Sequence, residues 1–586
     1  MKLDIEKVLL LAFFVLMLWI GIGTFWGHTL KHDFPYGYSA ADAYQHQVRA
    51  EWVKNNGYAN EAPEIVGGYE DVVGYYMPGS FQLVGVFSHV SGLESYDSLY
   101  FLVYFFSVMA ALVMYYGLKG YNKHVALLAL PITTLTFAKT FYAGILLGQW
   151  PFAFGTVFLL GSFWALTKLK WPKSIWLIAL FVSSVALTHT SELIFVVGLT
   201  GIAFLLSVMK KDWSGIKTLI GAGIITAIAS VYYLIIFSYS WGPRFAYSFN
   251  VAQSSGSFPN VKIFQDFQLW IIVFMAAGII GIYYRKTIIA FAAAILYVAI
   301  MKLFNISPKL TSDVVVVGIF AAFSIAFLFV IWKRKPDFVE TFAPYMLLIG
   351  FSGLVGFRAR AFQTRFMWPV TLAPLFGIAA YKLIMLAKSR GMKWNTAYTM
   401  GITIILTIVI LGMNYDPVST SGSMYKERWD MFKWLQENTE HGSEVMFFYG
   451  DGYEQTSILY NSGRSNFLIQ MEDYADGLNK QTIKREYKHS RNIDYGTGLP
   501  YRTGLLSFGH HLEDPDYAKP DFDICRFEYY VFDKGTSIQQ LVPFIQYNNL
   551  IKQTFVQNGM EEVFSNQATS IVKNTNPGGD CIGQSA

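Results

Sequence analysis

The residues best suited to chemistry in this chain are a few carboxylates and a cluster of guanidinium groups. Asp42 stands in SAADAYQHQVRAEWVKNNGY beside Tyr44, His46 and Arg49, with Asp33 shortly before it. Arg358, Arg360 and Arg365 fall together in FRARAFQTR, residues 357–365. A guanidinium presents a fixed fork of N–H donors that matches phosphate oxygens, so three in one loop form a candidate clamp for a phosphorylated ligand. A positioned carboxylate can take a proton from a hydroxyl or amide as that group attacks, which makes Asp42 a candidate general base and Asp33 its reserve. Each reading has a plainer rival. The arginines could snorkel to lipid phosphates or pair with acidic residues, and Asp42 could serve as a first-turn carboxylate on a helix.

Further candidates surround these. Gln149 and Trp150, in YAGILLGQWPF, can hydrogen-bond and stack on a substrate, as can Tyr44 and His46. His189 and Glu192, in ALTHTSEL, lie close to the end of an apolar run. Ionisable groups at membrane depth are costly and face protein or a cavity, so His189 reads either as a buried, hydrogen-bonded histidine or as a substrate contact. Glu70 and Asp71 in GGYEDVVGYYMPG come next. His510 and His511 near Glu513, Asp514 and Asp516 read as a solvated acidic loop rather than a metal site. No nucleotide-binding glycine loop and no Cys/His cluster with zinc spacing occurs.

The elements that must position these groups are membrane helices. The chain has 586 residues, only 15% of them charged, and a mean hydropathy of +0.35. About thirteen apolar windows are long enough, at about 1.5 Å per residue, to cross a hydrocarbon core of roughly 30 Å. They lie near 8–26, 98–118, 124–141, 151–168, 173–189, 192–209, 216–241, 269–284, 287–304, 313–332, 338–357, 366–387 and 395–414. The first follows Lys2 and Lys7 and reads as a retained anchor, because GIGTFWGHTL lacks a small-residue cleavage site.

Alternate loops are basic: Lys119 and Lys123; Lys168, Lys170 and Lys173; Lys210, Lys211 and Lys217; Arg285 and Lys286; Lys333, Arg334 and Lys335; Lys388, Arg390 and Lys393. Cationic flanks stay on the cytoplasmic side, so the amino terminus is expected inside and the tail after Asn414 outside. The first outer loop, about 27–97, is acidic and longer than a connection needs, which marks it as folded or functional. Within it 41–58 reads as a helix ended by Asn-Gly. The formal charge of +5 is mostly accounted for by the cytoplasmic loops and gives no reason to expect a nucleic-acid partner. The arginines of 357–365 fall in an outer loop, against the topology rule.

The expected fold is therefore a polytopic α-helical membrane domain, 1–414, followed by a small extracytoplasmic α/β domain, 415–586. In the tail, 424–438 has Trp429, Phe432 and Leu435 at helical spacing, EVMFFYG (444–450) and RFEYYVFD (526–533) are β-rich, a helical stretch lies near 537–557, and EEVFSNQATSIVKN reads as a closing hairpin. Both cysteines, Cys525 and Cys581, fall in this exported part, which favours a disulfide.

Taken together, these features resemble the C-type superfamily of integral membrane glycosyltransferases, which use polyprenyl-phosphate or polyprenyl-pyrophosphate sugars and include the oligosaccharyltransferases. The resemblance covers nearly the whole chain through loose motifs. It implies that Asp42 matches the superfamily's essential Asp after the first span, and that YYMPGSFQLVGVFSHVSGLESYDSLYFLVYFF is the passage into the second. FQTRFMWPVTLAPLFGIAAY is similar to the segment whose arginine contacts the donor phosphate, a role that falls to Arg365 first and then to Arg358 or Arg360. The tail has a fainter likeness to archaeal oligosaccharyltransferases, with two departures. FFYGDGY stands where that family has WWDYG, and Leu147, Gly148 and Gln149 stand where it has an acidic pair for a divalent metal. One first-loop Asp without that pair is a poor site for Mg²⁺ or Mn²⁺. The resemblance thus implies an inverting, metal-independent glycosyltransferase without cofactor, multi-pass in the cell membrane. Its partners would be a polyprenyl-linked sugar donor, a glycan, lipid or protein acceptor, and the bilayer. An oligosaccharyltransferase relative, a non-catalytic scaffold subunit and, last, a transporter are the rival readings.

Overall fold

The computed structural model describes residues 4–27, 29–39, 41–57, 77–139, 142–146, 148–241, 325, 327–351, 365–387, 394–417, 422–448, 456–469, 471–488, 521–535 and 542–583. The windows expected at 269–284 and 287–304 and most of that at 313–332 lie outside them. So do Glu70, Asp71, Arg358, Arg360 and the region of His510 and His511.

Among the described residues, ten α-helices follow in order up to Trp241: α1 (Ile5–Trp26), α2 (Ala41–Asn56), α3 (Gly79–Ser91), α4 (Ser95–Lys119), α5 (Lys123–Thr133), α6 (Tyr142–Leu146), α7 (Pro151–Leu166), α8 (Ser174–Thr188), α9 (Thr190–Met209) and α10 (Trp213–Trp241). After the undescribed stretch come α11 (Phe338–Phe351), α12 (Trp368–Thr371), α13 (Ala373–Ala387) and α14 (Thr396–Asn414). Among the described residues, α1, α4, Glu192–Met209, Trp213–Tyr232 and α14 are long and apolar enough to cross a membrane, and Lys123–Phe137, Pro151–Leu166, Ser174–Thr188 and Ala373–Ala387 are shorter apolar helices. The helix starts follow ordinary capping rules. Asp4 accepts from the Glu6 N–H, and Asn122 accepts from the N–H groups of His124 and Val125, each satisfying amides that have no helical partner. Pro131 brings α5 to its end, since proline lacks the N–H that the ladder needs, and a 3₁₀ turn over Thr134–Phe137 continues it.

Contacts between helix ends sort the loops into two groups. At one end Glu6 is buried against Lys119, Lys123 and the Tyr115 hydroxyl. There too Lys210 Nζ donates to the Pro336 carbonyl at 3.2 Å, Lys335 Nζ to Met209 at 3.1 Å, and His124 Nδ1 meets Thr399 Oγ1 at 2.7 Å. Among the described residues, the basic loops that carry Lys119 and Lys123, Lys210, and Lys335 thus share one end of the helix array. The other end carries α2, α3 and the tail: Lys139 pairs with Asp416 at 2.7 Å, and Tyr96 packs edge-on against Trp429.

The tail begins with α15 (Lys426–Asn438) and builds a five-stranded sheet in the order β2-β1-β5-β7-β6. The strands are β1 (Glu444–Phe448), β2 (Ser465–Phe467), β5 (Tyr529–Asp533), β6 (Glu561–Ser565) and β7 (Thr569–Lys573); β3 (Glu486–Lys488) and β4 (Asp521–Asp523) form a separate pair. β1 runs parallel to β2 and β5, while β7 is antiparallel to β5 and β6. Side chains alternate across a strand, and the alternation divides the core. Val445, Phe447, Tyr529, Val531 and Ile571 join Trp429, Phe432 and Leu435 in a cluster continuous with the membrane helices. Met446, Phe448, Tyr530, Phe532 and Val572 face the other way, onto Tyr547, Ile551 and Phe555 of α16 (Val542–Gln557). The Cys525–Cys581 disulfide closes this second core, with the two Cα atoms 5.4 Å apart.

Candidate active site

The site forms at the domain-bearing end, where three loops meet. The first is the segment leading into α2. Gly37, at φ +82°, turns the chain against Phe25 and Tyr100, a backbone that a side chain would strain. The carbonyl of Tyr38 then accepts the Tyr44 hydroxyl at 2.8 Å and the Ser423 N–H at 2.7 Å, so the tail is tied to the chain just before Asp42. Tyr38 in turn donates its hydroxyl to the Tyr96 carbonyl at 2.6 Å. His46 is buried between Phe81 and Trp150, with ring centroids at 5.7 and 6.4 Å. Burial first, then the charges of Arg49 and His189, push its pKa well below the usual histidine value. Asp42 precedes His46 by one turn of α2; its side chain lies outside the described residues.

The second loop joins α6 to α7. Gly148, at φ +77°, allows the reversal, and the Gln149 N–H donates to the Gly144 carbonyl at 2.9 Å. Trp150 is buried, donates Nε1 to Ile145 at 2.8 Å, and meets the rings of Tyr38 and Tyr100 at 4.6 and 5.3 Å. Gln149 lies beside Gly144 and Phe366, and its Oε1 has no hydrogen-bond partner among the described residues.

The third element is the break between α8 and α9. His189 is extended there and holds Glu192 through Nδ1 at 2.5 Å, with the Phe152 ring 4.6 Å away. Glu192 is fully buried against Gly155, where an added Cβ would stand 2.6 Å from a carboxylate oxygen. Its other oxygen, Oε1, has no partner among the described residues.

Six of the expected contact residues, Tyr44, His46, Gln149, Trp150, His189 and Glu192, therefore form one neighbourhood. Arg365 opens a 3₁₀ turn, Arg365–Met367, that packs on α6 and on the start of α7; its side chain lies outside the described residues. Phe366 and Met367 are buried, and the Phe366 side chain meets Gly144 where the Gln149 side chain also lies, so the turn brings the residue after Arg365 to this loop. Asp33 is exposed, on the loop between α1 and α2. Among the described residues no three His, Cys, Asp or Glu side chains gather as metal ligands.

Sequence reasoning missed several supports. Asp97, buried under the first loop, accepts the His32 N–H at 2.9 Å and holds the His32 ring at 3.0 Å. Arg428 and Asp533 form a buried pair at 3.2 Å, with the Arg428 guanidinium over Tyr425. Arg49 is buried with its guanidinium 6.0 Å from the Phe81 ring. Arg49 was named beside Asp42 from the sequence, but its burial against Phe81 was not foreseen.

No protein-family profile matches the chain, and no curated protein matches it. Solved structures show low-level likeness. The oligosaccharyltransferase AglB from Archaeoglobus fulgidus, in complex with an inhibitory peptide and a dolichol-phosphate, is 11% identical with a TM-score of 0.48, covering 93% of this chain and 72% of that one. ArnT from Cupriavidus metallidurans bound to undecaprenyl phosphate is 11% identical with a TM-score of 0.41, covering 97% of each chain. The arabinofuranosyltransferase AftD from Mycobacteria is 11% identical with a TM-score of 0.47, covering 98% of this chain and 40% of that one. Likeness at this level assigns no residue a role.

Proposed function

We propose that this chain is a multi-pass membrane glycosyltransferase of the plasma membrane that moves a sugar from a polyprenyl-phosphate or polyprenyl-pyrophosphate donor to an acceptor on the outer face. The observation that carries the reading is the meeting of the α2 segment, the Gln149–Trp150 loop and the Arg365 turn at the end of the helix array that bears the tail. The sequence resemblance, resting on the Asp42 and Arg365 segments, points the same way.

In this reading the acceptor oxygen or nitrogen attacks the anomeric carbon from the face opposite the phosphate, with inversion. Its proton passes to Asp42. The bond from the anomeric carbon to the phosphate oxygen breaks, and the lipid phosphate leaves with the electron pair, its growing charge met by Arg365 with Arg358 or Arg360. Gln149 supplies a hydrogen-bonding amide, while Trp150, buried against Tyr38 and Tyr100, positions the loop that carries it. No metal enters, because the phosphate is itself the leaving group and Leu147, Gly148 and Gln149 offer no carboxylate to hold one.

Purified protein incubated with a panel of polyprenyl-phosphate and polyprenyl-pyrophosphate sugars should release sugar from at least one donor, and chelation should leave the rate largely intact. A hundredfold loss with EDTA, restored by Mn²⁺, would overturn metal independence. No turnover with any donor would replace the enzyme with a non-catalytic scaffold of the same fold.

A further inference from the structure

Tyr38 is a junction of four parts of the chain. Its side chain is buried, its hydroxyl donates to the Tyr96 carbonyl of α4 at 2.6 Å, and its ring meets that of Trp150 at 4.6 Å. Its carbonyl accepts the Tyr44 hydroxyl of α2 at 2.8 Å and the Ser423 N–H of the tail at 2.7 Å. Helix α2 starts three residues on, at Ala41, and carries Asp42 in its first turn. Few rotatable bonds separate Tyr38 from that turn, so whatever fixes the Tyr38 backbone fixes where α2 begins.

The tail grips this junction by several contacts. Ser423 Oγ donates to the Ser39 carbonyl at 3.1 Å. Gly422, at φ +91°, comes so close that an added Cβ would stand 2.7 Å from the Tyr38 nitrogen, an approach open to glycine. Met424 is fully buried, and Trp429 packs edge-on against Tyr96, the rings 5.5 Å apart. Behind them the buried Arg428–Asp533 pair fastens α15 to β5 at 3.2 Å. Farther along the tail, Thr456–Leu459 and Tyr460–Ser462 pack against α2 itself. A domain that merely covered the site would have no need to bond the main chain that leads into α2.

We infer that the tail is a positioning element for the first-loop base. Seated on Tyr38 through Gly422 and Ser423, it sets where α2 begins and so where Asp42 stands relative to the Gln149–Trp150 loop. Gly422 and Ser423 act through Tyr38 and are not catalytic residues. The inference rests on the proposed role of Asp42. Displacing a catalytic group by about 1 Å can cost about 10²-fold in rate, whereas the lipid phosphate is assigned to Arg365, on another element. Loosening the seat should therefore cost turnover and leave phosphate affinity in place.

Full-length Gly422→Ala and Ser423→Ala test this by hydrogen exchange, binding of polyprenyl phosphate and turnover. Alanine at 422 pushes the tail off the Tyr38 backbone, while alanine at 423 removes one hydroxyl. In Gly422→Ala, amides over 38–48 should exchange about tenfold faster or more, as a local opening does, with α4 and the tail sheet protected as before. Turnover should fall by about tenfold or more, and the dissociation constant for polyprenyl phosphate should stay within about twofold. Ser423→Ala should show the same split in smaller degree, and Ser423→Thr, which keeps the hydroxyl, should restore it. Unchanged exchange over 38–48 in Gly422→Ala would overturn the inference, and so would a loss of phosphate affinity as large as the loss of turnover. Faster exchange with full turnover in Gly422→Ala, where Asp42→Asn has none, would overturn it and leave the proposed function standing. Full turnover in both variants would remove the base and the inference together.

Discussion

At the scale of residues, the proposed chemistry separates two roles that kinetics can tell apart. Asp42→Asn keeps size and polarity but removes the base, so turnover should fall by about 10²-fold or more, the usual contribution of a positioned general base. Donor affinity should stay within a few-fold. Arg365→Ala should instead weaken donor binding by roughly 1.5–3 kcal/mol, the loss of a charge-assisted hydrogen bond, and Lys should rescue only part, since an ammonium lacks the fork. Steady-state kinetics with donor titration would read both. Full turnover in Asp42→Asn with none in Asp33→Asn would move the base to Asp33.

His46 makes a prediction about pH. Its folded pKa lies well below the ordinary value, chiefly through burial, while the unfolded chain protonates near about 6.5. Below that pH the unfolded state takes up a proton that the folded state refuses, so stability falls as pH drops and is regained as pH rises. The slope from this group is at most about 1.4 kcal/mol per pH unit. Unfolding of the purified protein between pH 7 and 5 should show this acid loss, and His46→Gln should flatten it. An unchanged slope in that variant would remove His46 as its cause.

At the scale of elements, what could be read from sequence depended on how local the cause was. The expected helix at 424–438 appears as Lys426–Asn438, the strand at 444–450 as Glu444–Phe448, and the closing hairpin as β6 and β7, because periodicity and turn residues act over a few positions. Strands β2, β3 and β4 and the helix Met471–Lys480 were missed. Three-residue strands carry too little period to see, and the parallel pairing of β1 with β2 and β5 is non-local. For the same reason the site's residue types were legible but not the meeting of His46, Trp150 and His189, which sit on separate elements. The Cys525–Cys581 pairing was legible because only two cysteines exist. With the cysteines 56 positions apart in sequence, the disulfide should stabilise the tail by about 4 kcal/mol in the chain-entropy model. Replacing both cysteines by serine should lower the unfolding temperature of the tail. Alkylation without reductant should add no label to the native chain, and two labels would contradict the bond.

At the scale of the whole molecule, the two ends of the helix array differ in charge for a reason that bears on function. Lys119, Lys123, Lys210 and Lys335 gather at one end, tied to Glu6 and to carbonyls of neighbouring loops, while the tail and the candidate site occupy the other. Cationic loops stay with the cytoplasm during insertion, so in the proposed orientation the site stands on the opposite face. An outward site could then meet a lipid-linked donor displayed on that side. A membrane-impermeant maleimide applied to intact cells tests this with two single-cysteine variants made on the Cys525→Ser, Cys581→Ser background. Glu437→Cys, exposed on α15, should label fully. Lys170→Cys, exposed in a basic loop, should label only after the membrane is opened. Labelling of Lys170→Cys in sealed cells, with Glu437→Cys protected, would invert the molecule. The arginines would then stand on the cytoplasmic side, where the topology rule already expects cations, and their placement would lose its force as a sign of a bound phosphate.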